Sequence, residues 1–151
     1  MAVDLLLCFA TELEGALLRE RFEGADPSVA IVRTGVGAVN AAHAVTLFLI
    51  VEAPIPLFNE LPMQLFPVQR RTGFVTVASC TGTDSAARAI EARTRGGVEN
   101  MEGAAVAHVA HLHGVPVGEV RGISNIVTDR DTRAWRLKEA AVAAQEAVLS
   151  W

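Results

Sequence analysis

Short apolar runs that are each followed by a helix start constrain the fold of this chain more than any other feature. The first run is Val3–Phe9, and Thr11 and Glu14 follow it at the spacing of a capping box. A second run, Val29–Val32, precedes a glycine turn and a helical pattern that begins at Ala38. Runs that are almost continuously apolar are typical of parallel strands buried on both faces.

The same alternation of strand and helix continues through the second half of the chain. Phe74–Ala78 is predicted to be a strand, and Asp84 is predicted to cap a helix that ends at Gly96 and Gly97. The remaining predicted elements are a helix at Met101–His113, a strand at Val117–Val120 and a last amphipathic helix at about Thr132–Trp151. The sequence therefore predicts one α/β domain over residues 1–151. Its three layers comprise a mainly parallel or mixed central sheet flanked by helices.

Composition excludes several classes of protein. The chain has 151 residues, of which 51% are apolar and 20% charged, and this balance suits a packed core rather than a disordered segment. The net charge is −4 and no basic run is present, so we expect no nucleic-acid partner. No apolar run approaches the roughly 20 residues that span a bilayer, and no basic segment precedes the first run. We therefore expect a cytoplasmic protein without a membrane partner.

Cysteines and histidines do not indicate a metal site or a disulfide. Cys8 and Cys80 each lie in or beside an apolar run, so both are expected to be buried free thiols. His108, His111 and His113 lie on a predicted helix, and no further ligand cluster accompanies them. Because zinc takes three or four protein ligands, these histidines are interpreted as a helix surface. We expect no metal or organic cofactor.

A crevice at the carboxyl ends of the strands is the expected ligand site, because ligands of parallel sheets bind there. The segments expected to surround it are Ala10–Glu14, Gly35–Gly37, the residues after Ala78, and Arg121–Asn125.

Each of these segments has two interpretations. Gly35–Asn40 is half of a dinucleotide fingerprint, and it either presents N–H groups to an anion or is a tight turn. Glu14 is either a capping residue or a catalytic group. Glu102, at the head of an alanine-rich helix, is either solvated or buried against a partner such as sugar hydroxyl groups. Ser124 and Asn125 either bind a ligand or form a turn.

Three segments, in order, resemble motifs of the nucleoside phosphorylase/nucleosidase superfamily. "FATELE" resembles the "A-x-x-x-E" start of methylthioadenosine/adenosylhomocysteine nucleosidases, and "TGVGAVNAAHA" resembles their "TGIGKVNAA". "VENMEGAAVAHVAHLHGVPVGEVRGISN" resembles their "VEMEAAAIAHVC…VPFVVVRAISD". "ENMEGAA" and "RGISN" are more similar to the futalosine hydrolases of this superfamily, which serve a menaquinone pathway. The resemblance implies a phosphorylase-like fold.

The resemblance also implies roles at the sugar side of the site. It aligns Glu14, rather than Glu12, with the residue that activates water. It aligns Met101 and Glu102 with the pair that holds ribose, and Glu102 would take the hydroxyl groups. Gly35 is also predicted to bind the substrate.

At the base side, the resemblance aligns Ser124 and Asn125 with the pair at the purine N7 edge, and Arg121 would support them. The segment Ser79–Thr83 falls on the end of the base-pocket strand, so Thr83 is predicted to bind substrate.

Two departures from the family pattern are visible. Gly82 stands where the family has a stacking phenylalanine. The chain also passes from Ile50 to Phe74 without the central strand and its Ser-Ala-Gly-Gly-like turn, and no helix stop follows Leu47–Val51. We predict a chain gap near residues 50–52. Either the protein is longer than this sequence, or the segment is deleted.

The predicted function is hydrolysis of the N-ribosidic bond of a 6-oxopurine nucleoside such as futalosine. The alternatives are a methylthioadenosine/adenosylhomocysteine-type nucleosidase, a phosphorylase that uses Arg33 for phosphate, and an inactive ligand-binding remnant. An apolar, proline-rich stretch at Ile55–Phe66 has few charges, so we also expect a homo-oligomer, at least a dimer.

Overall fold

Two pairs of parallel strands form the sheets. In the computed structural model, β1 (Leu5–Phe9) pairs with β2 (Val29–Arg33), and β3 (Gly73–Thr76) pairs with β4 (Gly96–Asn100). Phe9 lies opposite Arg33 in the first register, and the second register contains one irregularity near Phe74. Parallel pairing brings the carboxyl ends of both strands of a pair to the same edge. The α/β prediction with parallel strands is confirmed.

The described residues are 3–46, 60–64 and 70–150. The predicted chain gap near 50–52 and most of the apolar stretch at 55–66 lie outside the described residues. Within the part of the chain that is described, no helix is both long enough and apolar enough to cross a membrane.

Five helices pack around the strands in the described residues. They are α1 (Glu12–Phe22), α2 (Ala38–Thr46), α3 (Asp84–Thr94), α4 (Gly103–Leu112) and α5 (Leu137–Leu149). Helix α2 packs against α4, where the small side chains of Ala41 and Ala107 are fully buried and allow a close approach.

Helix α1 packs against α5, and a buried amide joins them. Gln145 of α5 is 3% exposed. Its Oε1 accepts from the Leu17 N–H at 2.7 Å, and its Nε2 donates to the Leu13 and Ala141 carbonyls. Because both ends of the buried amide have partners, its hydrogen bonds offset the cost of desolvation while it joins α5 to α1.

Strand β4 was not predicted. Its Gly96 and Gly97 were interpreted as the end of the preceding helix, but α3 ends at Thr94 and Arg95 takes the left-handed conformation at its C-cap, with φ 58°. The glycines instead allow β4 to run close to β3, because a Cβ at either position would overlap a neighbouring side chain.

Three further boundaries differ from the predictions. The N-cap of α3 is Thr83, not Asp84. Helix α4 begins at Gly103 rather than Met101, and a 3₁₀ turn at Thr132–Ala134 precedes α5. The predicted strand at Val117–Val120 is wrong. Gln64 donates to the Val117 carbonyl at 2.7 Å, but no ladder of hydrogen bonds follows in the described residues.

The two cysteines are free thiols in different surroundings. Cys8 is partly buried on β1, and burial raises the pKa of its thiol to about 11. Cys80 is exposed, so the prediction that it is buried is wrong. It follows β3 in a turn, past the end of the apolar run.

Candidate active site

Glu102 is a nearly buried carboxylate that contacts three segments of the chain. It lies between β4 and α4, and its side chain is 12% exposed, so it is not a solvated first-turn glutamate. Oε1 accepts from the Gly37 N–H at 2.9 Å. Oε2 accepts from the Met101 N–H at 3.3 Å and lies 3.8 Å from Nη1 of Arg121. One side chain therefore connects the turn after β2, the end of β4 and the segment before α5.

The glycine turn after β2 presents a backbone donor to an anion. Gly35 and Gly37 have φ of 81° and 100°, which side chains with a Cβ rarely adopt. The Gly37 N–H meets the Glu102 carboxylate, so the anion at this turn belongs to the protein itself.

Asn100, which the sequence analysis overlooked, organises the start of α4. The residue is 7% exposed. Its Oδ1 accepts from Thr76 Oγ1 at 2.8 Å and from the N–H groups of Glu102 and Gly103 at 3.1 and 2.8 Å. Its Nδ2 is buried with no hydrogen-bond partner in the described residues. An asparagine just before an alanine-rich helix is a typical capping signal, and it could have identified this residue.

Glu14 caps α1 through one carboxylate oxygen. Its Oε2 accepts from the N–H and the hydroxyl group of Thr11, at 2.7 and 2.9 Å. Among the hydrogen bonds of the described residues, none ends on Oε1. The cap therefore uses half of the carboxylate, and the other oxygen can accept from water.

Glu12 occupies a different environment. Its side chain is 56% exposed and pairs with Arg33 at 2.8 Å and with Arg19 at 3.3 Å. Arg33, the candidate for phosphate binding, is thus already paired with a carboxylate.

Arg121 lies between two carboxylates. Its Nε donates to Glu119 Oε1 at 2.5 Å, while its Nη1 faces Glu102. The family resemblance implies that Arg121 supports Ser124 and Asn125, whereas in the structure it pairs with Glu119. Glu119 lies within the predicted strand Val117–Val120, and no pattern in the sequence indicates its partner.

Asn125 lies in a cavity of about 370 Å³, within the size range of small-molecule sites. Its Oδ1 accepts from Ser124 Oγ at 2.6 Å, and its Nδ2 donates to the Ile126 carbonyl at 3.2 Å. The Ser124 hydroxyl and the Ile126 carbonyl therefore fix the orientation of the Asn125 amide, with Oδ1 toward Ser124 and Nδ2 toward Ile126.

The other walls of this cavity include Thr81 and Trp135. The Arg130 guanidinium lies 5.4 Å from the Trp135 ring centroid, within range of a cation–π contact. The Thr81 N–H donates to Glu99 at 2.8 Å, which holds the turn after β3. The Thr83 hydroxyl accepts from the Ala86 N–H and caps α3, so in the structure this side chain, which was predicted to bind substrate, stabilises the start of the helix.

The sequence profile described as the Phosphorylase superfamily matches residues 67–150, more than half of the chain. The chain belongs to this superfamily. A curated relative in Streptomyces coelicolor, named futalosine hydrolase, is 45% identical over 75 residues, which are 49% of this chain and 32% of the relative. The chain thus spans no more than about a third of the curated relatives that it matches.

Solved structures of other proteins have a fold similar to that of this chain. Futalosine hydrolase of Helicobacter pylori matches with a TM-score of 0.80 and 13% identity, over 99% of this chain and 97% of that chain. The 5′-methylthioadenosine/S-adenosylhomocysteine nucleosidase of S. pneumoniae, solved with a transition-state inhibitor, matches with a TM-score of 0.73 and 16% identity. That match covers 97% of this chain and 96% of the other. The phosphorylase-like fold is confirmed.

Within this superfamily fold, the structure joins some of the expected residues and not others. The turn after Gly35, Met101, Glu102 and Arg121 form one hydrogen-bonded and ion-paired cluster. Asn125 lies in the cavity four residues further along the segment. No hydrogen bond or ion pair of the described residues links Glu14 to Glu102.

Proposed function

We propose that this chain hydrolyses the N-ribosidic bond of a 6-oxopurine nucleoside. Futalosine would be the substrate, and hypoxanthine and dehypoxanthine futalosine the products, in a menaquinone pathway. The observation that carries the proposal is the nearly buried Glu102 carboxylate, held by a backbone N–H and an arginine beside the segment that bears Asn125. The name of the Streptomyces coelicolor relative and the 45% identity of the matched part support the same substrate.

In the proposed reaction, water attacks the anomeric carbon of the ribose. Oε1 of Glu14 takes a proton from that water as a general base. Glu102 accepts hydrogen bonds from the ribose hydroxyl groups and holds the sugar in attack geometry. The bond from the anomeric carbon to the purine nitrogen breaks, and its electron pair leaves with the base, which takes up a proton. No cofactor takes part.

Asn125 would stabilise the departing base. An amide oxygen has a second lone pair and an amide nitrogen a second hydrogen, beyond those used by Ser124 and Ile126. The oxygen can accept from a protonated N7, while the nitrogen donates to O6 of hypoxanthine. Adenine presents an amino group at that position, so the amide would face it donor to donor. The arrangement favours a 6-oxopurine.

Water rather than phosphate is the proposed nucleophile. Arg33 is the candidate phosphate residue in the described chain, and it pairs with Glu12 at 2.8 Å. Turnover should therefore not depend on added phosphate.

The test compares kcat/KM for futalosine, inosine and methylthioadenosine in the wild-type chain and in Asn125→Asp. A mismatched buried polar pair costs about 1–3 kcal/mol, so the preference for 6-oxopurines should fall roughly 5- to 150-fold in the variant. An unchanged ratio would mean that Asn125 does not read the base. Absence of any hydrolysis by the wild-type chain would overturn the proposed function.

A further inference from the structure

Glu119 has a buried carboxylate oxygen that no hydrogen bond in the described structure satisfies. The side chain is 9% exposed, and its Oε1 accepts from Nε of Arg121 at 2.5 Å. Its Oε2 is buried and has no hydrogen-bond partner among the described residues. A buried unpaired carboxylate oxygen is unfavourable, so its presence in a packed position calls for a compensating role.

The position of this carboxylate is narrowly defined. A Cβ at Gly103 would overlap both carboxylate oxygens of Glu119, so the carboxylate lies against the first residue of α4. Gly103 directly follows Glu102 in the chain. The partial positive charge at the N-terminus of α4 favours an anion there. Glu119 and Glu102 thus flank the same helix start, with Arg121 between them.

Arg121 lies closer to Glu119 than to Glu102, and this difference affects how Glu102 can bind a ligand. Arg121 is at hydrogen-bond distance from Glu119 but 3.8 Å from Glu102, beyond a normal hydrogen bond. A guanidinium can bind a carboxylate through two parallel N–H groups, and in that geometry both oxygens of the carboxylate are engaged. In the structure Nε of Arg121 binds Glu119 and its Nη1 stays 3.8 Å from Oε2 of Glu102, so this paired geometry with Glu102 is not formed.

We propose that Glu119 is a positioning residue that holds Arg121 away from full pairing with Glu102. The lone pairs of Glu102 then remain available to the ribose hydroxyl groups. This inference rests on the proposed function, because it assigns Glu119 a part in sugar recognition at that site. Loss of the Glu119 charge weakens its hold on Arg121, which then pairs more strongly with Glu102 and competes with the sugar.

The first test measures sugar selectivity in Glu119→Gln. The variant should raise KM for inosine about tenfold with a smaller change in kcat, and its activity on 2′-deoxyinosine and 3′-deoxyinosine should fall much less. The selectivity for the full ribose should therefore fall. Glu139→Gln is the matched control, since Glu139 is an exposed glutamate that also pairs with an arginine, and it should leave selectivity unchanged. Equal losses on all three nucleosides, or no loss, would overturn the proposal.

The second test does not depend on catalysis. The melting temperatures of Arg121→Gln, Glu102→Gln and the double variant give the coupling between the two residues. This coupling should increase by about 2–4 °C when the same set is measured in the Glu119→Gln background. An unchanged coupling would refute the competition for Arg121, even in a chain that hydrolyses nucleosides. If the wild-type chain hydrolyses no nucleoside, the proposed function fails, while this measurement still decides whether Glu119 restrains Arg121.

Discussion

Glu14 caps α1, and in the proposed reaction it also takes a proton from water. Both of its described hydrogen bonds end on Oε2, at the start of α1. In Glu14→Gln the amide oxygen still accepts from Thr11, so the melting temperature should change little. The amide cannot take a proton from water, so turnover should fall by roughly 10²-fold or more. Steady-state kinetics and thermal melting of the same preparation separate the two tasks.

Glu12→Gln is the control for this variant. Glu12 is exposed and pairs with Arg33 and Arg19, so its loss should leave turnover nearly unchanged. Wild-type turnover in Glu14→Gln would leave only the capping role for that residue.

At the scale of elements, the contact between α5 and the segment at Gly122 is the least tolerant of change. A Cβ at Gly122 would overlap the carbonyl group of Ala140, and a backbone atom cannot move aside as a flexible side chain can. Gly122→Ala should therefore lower the free energy of unfolding by roughly 1–3 kcal/mol. Urea unfolding measures this change.

Gly82→Ala is the matched control for Gly122→Ala. A Cβ at Gly82 would meet no atom within 4 Å, so no loss of stability is expected there. Equal midpoints for the two variants would show that α5 does not press against Gly122.

The elements that could be predicted are those whose own residues determine them. The strands β1 and β2 are continuous apolar runs, and Thr11 with Glu14 marks the start of α1. Strand β4 was missed because it begins with two glycines and owes its conformation to a close approach to β3. Val117–Val120 has an apolar pattern but lacks a hydrogen-bonded ladder in the described residues, and the pattern alone cannot supply that partner.

The residues of the candidate site also divide into those that the sequence indicates and those that only the structure reveals. Glu102 and Asn125 were identified because they lie in recognisable motifs. Asn100 was missed although it has a local capping signal before α4. Glu119 and Trp135 were missed because their importance comes from packing against Gly103 and from lining the cavity, which no sequence pattern shows. Trp135 was interpreted as part of the last helix, whereas it precedes α5 and lines the cavity of Asn125.

At the scale of the whole molecule, contacts join the two halves of the chain. Gln145 connects α5 to α1, and Glu102 connects the start of α4 to the turn after β2. We propose on this basis that residues 1–151 belong to one domain, with a chain gap near 50–52 where the family pattern is interrupted.

Exposed apolar side chains near the site suggest how the molecule assembles. Val36 and Val39, at the glycine turn, are 54% and 83% exposed, while Ile123 and Ile126, beside Asn125, are 56% and 78% exposed. We propose that a second copy covers these side chains, because exposed apolar groups that lie close together in the chain, as within each pair, can mark an interface. Light scattering at micromolar concentration should give at least a dimer, and Val39→Glu should give a monomer.

Val142→Glu is the control for this prediction, since Val142 is also exposed but lies on α5. A monomeric wild-type chain would contradict the proposed assembly.

The single oxygen of Asn100 that accepts three hydrogen bonds has a consequence for local opening. Thr76 on β3 and the amides of Glu102 and Gly103 all depend on that atom. We therefore expect the two amides to exchange their protons with solvent when β3 and β4 separate from the start of α4. Sub-global unfolding of this kind groups residues into cooperative units. The backbone of Glu102 therefore belongs to the same cooperative unit as the second strand pair, and we expect its amide to exchange at the rate at which those strands open.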